Sequence, residues 1–159
     1  MSTLIQKLIE KFQILPGVGP RTARRFVYHI LERNQNSAIE LSDLLSKTVQ
    51  NIQHCEKCRN LTEHTICEVC LSPKRDPEKI CILESPQDVD SIEHTGCYKG
   101  LYFILHGKLS PLDGLGPEEL GLNDLFSRIL SPTNTIKEII IATNATVEGE
   151  ATAYYISEQ

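Results

Sequence analysis

The sequence predicts an α/β protein whose texture changes twice along the chain: an N-terminal helical hairpin bundle, a small four-cysteine module, then a mainly parallel sheet with helices on both faces. Apolar residues recur at helical spacing through the first part, two C-x-x-C pairs mark the second, and short apolar runs alternate with helix-like stretches in the third. The domains are expected at residues 1–53, 54–78 and 79–159.

In the first part Leu4, Ile5, Leu8, Ile9 and Phe12 form one amphipathic stripe, which stops at Leu15-Pro16-Gly17. A second helix starts at Pro20 and puts Ala23, Phe26, Val27, Ile30 and Leu31 on one face. A third is expected from Ser37, with Ser37 and Glu40 as a capping box and Leu41, Leu44, Leu45, Val49 and Ile52 along its stripe. In the third part ICILE (80–84), LYFIL (101–105) and EIIIA (138–142) read as strands, with helices at 86–94, 117–130 and 148–158. Continuous apolar strands separated by helices imply parallel pairing with both faces covered.

The net charge of −5 argues against simple nucleic-acid affinity, but it hides a split. Residues 1–79 carry 12 Lys+Arg against 9 Asp+Glu, whereas residues 80–159 carry 4 against 12. Any nucleic-acid contact is therefore expected in the N-terminal half. No stretch approaches the roughly 20 apolar residues of a membrane span, and MSTLIQKLIEKF is amphipathic rather than signal-like, so a cytoplasmic protein without membrane contact is expected.

The turn Leu15-Pro16-Gly17-Val18-Gly19-Pro20 brings two glycines and a helix-starting proline together. Free amides at the start of the second helix, with the positive end of its dipole, make a phosphate site, and Arg21, Arg24 and Arg25 stand beside it. From Lys11 to Arg25 there are four basic residues and no acidic one, as a DNA backbone requires. Gly17, Gly19, Arg21, Arg24 and Arg25 are the candidate DNA-binding residues; the competing reading is an ordinary hairpin with a solvated arginine face.

Cys55-Glu-Lys-Cys58 and Cys67-Glu-Val-Cys70 are two knuckles separated by eight residues. Such turns aim paired sulfurs at one ion, and together they supply the tetrahedral thiolate shell of a structural Zn²⁺. Redox-active dithiols or disulfides are the alternative, disfavoured in a reducing cytosol. A complete sulfur shell leaves no position for a catalytic water, and His54 and His64 stay outside it. Cys81 and Cys97 are read as small buried hydrophobes, and Lys57, Arg59, Lys74 and Arg75 as solvated charges that could touch DNA.

The strand-end Glu84, the HGKLSPLDGLGP loop at 106–117 and the TVEGEATA run resemble the Toprim domain of the RecR family of bacterial recombination mediators. The hairpin and the knuckles match that family in the same order. The resemblance implies an accessory factor of RecBC-independent recombinational repair that binds single- and double-stranded DNA. It also implies work with RecO, in some pathways RecF, and assembly into rings.

Toprim enzymes hold Mg²⁺ with a strand-end glutamate and a later D-x-D pair. Glu84 matches the first, but Thr143 to Glu150 contains no aspartate pair, so no catalytic activity is expected. Reconstruction of a metal site by Glu84, Glu148 and Glu150 is the alternative; the preferred role for these three is docking to a basic surface of RecO. The chain ends at Gln159, where the family continues into a Walker B-like segment that helps close the ring. The full ring is therefore not expected of this form, and an exposed sheet edge is.

Overall fold

The computed structural model describes residues 2–159, which fold as two units, one running to Asn51 and the other Ile52–Gln159. In the first unit, α1 (Thr3–Phe12) and α2 (Pro20–Arg33) form the expected hairpin, followed by α3 (Gln35–Asn51). Ile9, Ala23 and Val27 are its buried centre, with Ile5, Phe12 and Val18 packed around them. Phe12 and Phe26 meet edge to face at 6.1 Å.

The third helix begins earlier than the expected capping box. The amide of Ala38 donates to the carbonyl of Asn34 at 3.0 Å, so Ser37 already lies within the helix. Only Asn34 separates α2 from α3. None of α3 is buried: Leu41, Leu45 and Val49 face a groove of about 550 Å³, shared with Leu8, Phe12 and Ile30, and Leu44 is exposed.

The second unit opens with an antiparallel pair, β1 (Gln53–His54) and β2 (Leu61–Thr62), and the short α4 (Glu68–Leu71). Then come β3 (Lys79–Leu83), α5 (Pro86–Thr95), β4 (Leu101–Ile104), α6 (Leu122–Ile129), β5 (Glu138–Ala142) and α7 (Val147–Glu158). The strands β4-β3-β5 are all parallel, with Ile80 opposite Leu101 on one side and Ile139 on the other. The expected α/β sheet is thus present, and α6 is shorter than the 117–130 reading because residues 110–121 form turns.

Alternation along the strands sends side chains to two cores. Ile80, Ile82, Phe103 and Leu105 pack against Leu122 and Leu125 of α6 and Ile156 of α7. On the opposite face Cys81, Leu83, Tyr102 and Ile104 pack with Val89 of α5 and with Cys55, Cys58 and Cys67. The four-cysteine segment thus packs its buried sulfurs against one face of the sheet. No helix among the described residues is long and apolar enough to cross a membrane.

Candidate functional site

The hairpin turn is built as the sequence reading requires. Gly17 has φ 79, in the left-handed region that a side chain disfavours. Gly19 is the N-cap of α2, with no side-chain cap and open space where a Cβ would stand. Pro20 has no N–H, and the first intrahelical bond runs from Ala23 to the Gly19 carbonyl at 2.9 Å, which leaves the Arg21 and Thr22 amides without an acceptor in the helix. Arg21, Arg24 and Arg25 are all exposed, and no acidic residue lies in the first turn. The Arg25 guanidinium rests 5.8 Å from the Phe26 ring.

The four cysteine sulfurs lie within 4.8 Å of one another, with Cys55, Cys58 and Cys67 buried and Cys70 half-buried. Bonds of about 2.3 Å to a tetrahedral ion place sulfurs roughly 3.8 Å apart; Cys58 and Cys67 stand at 3.5 Å. The amide of Cys67 donates to Cys55 Sγ at 3.3 Å, a contact that favours thiolate. Hydrogen bonds from the Cys58 and Cys70 thiols hold Cys67 below the ordinary thiol range, and the same crowding raises Cys58 and Cys70. The donor set therefore fits a structural Zn²⁺, which Cys55, Cys58, Cys67 and Cys70 would hold and which would supply cross-linking rather than chemistry. Among the described residues no other group of three or more candidate ligands converges.

The first knuckle is bonded to α6, to β4 and to the loop after β4 through three consecutive carbonyls. That of Lys57 accepts from Arg128 at 2.7 Å, that of Cys58 from the Ile104 amide at 2.9 Å, and that of Arg59 from His106 Nε2 at 2.6 Å. The His106 ring also stacks on His54 at 4.3 Å. Burial lowers the His106 pKa.

Two arginines read from sequence as solvated are structural. The Arg59 guanidinium donates to the carbonyls of Leu120 and, at 3.3 Å, Glu119, and lies over the Phe103 ring. It passes so close to Gly121, where φ is 68, that a Cβ there would collide with it. Arg75 makes a two-pronged pair with Glu93 and also reaches the carbonyls of Tyr98 and Gly100. Both were illegible because their acceptors are distant in sequence. Lys57 and Lys74 are exposed, as expected, and so is Cys97, which the sequence reading had buried. Cys81 is buried, and that burial pushes its thiol up to about 11.

The three acidic candidates separate. Glu84 is only 7% exposed, and its two oxygens accept from the Asn144 amide at 2.9 Å and from Asn144 Nδ2 at 2.6 Å. Glu148 and Glu150 are exposed in the first turn of α7, and Glu148 pairs with Lys108 at 3.2 Å. The backbone amide and Lys108 hold the Glu148 carboxyl below its usual range.

Three family models match the chain: the helix-hairpin-helix of RecR over residues 5–49, the four-cysteine zinc finger domain of RecR over 52–72 and the Toprim domain over 78–159. Among similar proteins, "Recombination protein RecR" of Xanthomonas axonopodis pv. citri is 51% identical over 158 residues, which are 99% of this chain and 79% of that protein. The protein of the same name from Xylella fastidiosa gives the same identity and coverage.

Proposed function

The chain belongs to the RecR family, and from that premise we propose that its α1–α2 hairpin grips the DNA backbone without reading sequence, through the free Arg21 and Thr22 amides that follow the Gly17–Gly19 turn and through the Arg21, Arg24 and Arg25 side chains. The family's part in recombinational DNA repair is that of a mediator with no catalysis of its own. The observation that carries the reading is the uncapped start of α2 beside three exposed arginines. Helix dipole, free donors and guanidinium groups all favour the same ligand, a phosphate.

The acidic C-terminal half serves a different partner. RecO, and in some pathways RecF, would dock through a basic surface against Glu148 and Glu150, with Glu84 bracing the Asn144 turn behind them rather than touching the partner. The protein works as a homo-oligomer.

The test is a titration of labelled single-stranded and duplex DNA with the zinc-loaded protein at several salt concentrations. Affinity should fall steeply with salt, and Arg21→Ala or Arg25→Ala should each reduce the slope by about one unit. Binding to neither strand form at low salt overturns the hairpin reading.

A further inference from the structure

We infer that the loop from His106 to Leu120 is a pre-set protein-docking element whose apolar anchor is Leu112, fitted to a partner that offers an apolar socket rimmed by basic residues. The inference rests on the docking role proposed above for the acidic half and names the contact that would supply its apolar component.

Leu112 is 100% exposed, at the tip of a 3-10 turn spanning Pro111–Asp113. An isolated leucine on a surface is ordinary. This one is held on a turn with little freedom. The Ser110 and Leu115 amides each donate to the other residue's carbonyl at 3.0 Å, and Ser110 Oγ donates to Asp113 at 2.6 Å. Beside the tip, Leu109, Pro111, Leu115, Pro117 and Tyr155 line a groove of about 440 Å³.

Both ends of the loop are fixed by one residue. The carbonyl of Arg59 accepts from His106 where the loop begins, and its guanidinium donates to Glu119 and Leu120 where the loop closes. An apolar side chain presented on a fixed support loses little freedom on binding, the condition under which one residue contributes strongly to affinity.

Charge narrows the occupant. Between 106 and 120 and along α7 there is one lysine, Lys108, against six acids: Asp113, Glu118, Glu119, Glu148, Glu150 and Glu158. Lys108 is already paired with Glu148. An acidic excess of this kind repels DNA and anionic lipid and fits a cationic protein surface.

The experiment measures binding of purified RecO from the same organism to the full zinc-loaded chain carrying Leu112→Ala, Leu112→Asp or Glu148→Lys. Leu112→Ala should weaken binding roughly ten-fold or more, and Leu112→Asp further, with zinc content, thermal stability and DNA titration unchanged. Full binding by both Leu112 variants, with Glu148→Lys impaired, overturns the anchor and leaves the acidic docking reading standing. Full binding by all three overturns both. A change in the self-association of the chain alone on altering Leu112 makes a second copy the occupant and also overturns the proposal.

Discussion

Arg59 and His106, the two non-glycine residues with left-handed backbone among those described, at φ 63 and 59, are hydrogen-bonded to each other at 2.6 Å. Each costs something to hold there, and such positions persist where the surroundings over-determine them. Replacing Arg59 by Met would leave the Glu119 and Leu120 carbonyls short of a donor, and is expected to lower stability by about 1–3 kcal/mol in chemical denaturation. Hydrogen exchange should rise selectively across residues 106–121. Uniform exchange through the unit would count against a local clamp.

Burial of the His106 ring, which outweighs this bond to the Arg59 carbonyl, gives stability a pH dependence. The His106 pKa is depressed in the fold by burial, so the unfolded chain takes up a proton first as pH falls. The contribution is fully present above the unfolded value near 6.5 and is lost as pH drops toward the folded value. Unfolding measured between about pH 7.5 and 5 should show a decline in stability that His106→Asn reduces.

Glu93 adds a second acid-sensitive group. Its carboxylate accepts from Arg75 and from the Tyr102 hydroxyl at 2.5 Å, and the Arg75 guanidinium holds its pKa below the usual range. Stability from this pair is present above the unfolded carboxyl value and is lost as pH falls through the folded one. Arg75→Met should cost about 2 kcal/mol at neutral pH, with a smaller penalty in acid. An equal penalty at both would exclude the carboxylate as the cause.

Glu84→Gln probes a different bond pair. One oxygen would become an amide donor facing either the Asn144 amide or its Nδ2, both donors themselves, at an expected cost of about 1–3 kcal/mol. Thermal unfolding reads the loss. A neutral result would mean that the Asn144 side chain reorients freely.

Metal removal is expected to reach beyond the knuckles. Cys55, Cys58 and Cys67 share a core with Leu83, Tyr102 and Ile104, so stripping Zn²⁺ with a chelator should raise hydrogen exchange in β3 and β4 as well as in residues 52–72. Binding contributes on the order of 10 kcal/mol to such sites. Exchange confined to residues 52–72 would show that the sheet stands without them.

Local signals served the sequence reading well: the Pro20 helix start, the Gly17 turn, the EIIIA strand and the four-cysteine cage all stand where spacing and residue type put them. Ser37 misled because a capping motif describes only its own four residues, whereas the Asn34 carbonyl had already begun the helix. Arg59 and Arg75 were invisible for a related reason. Arg59 meets acceptors about sixty positions away and Arg75 one eighteen away, and nothing in a flanking window separates them from solvated bases. Cys97 lies just beyond the left-handed Gly96 that ends α5, outside the strand alternation that buries Cys81.

Because the knuckles borrow their hydrophobic support from the neighbouring strands, they are a poor cassette. Grafted into another host, or expressed as an excised peptide, the same four sulfurs would lack the scaffolding that orients them. Chimaeras and fragments of this chain should therefore be cut near Asn51 rather than on either side of the cysteines.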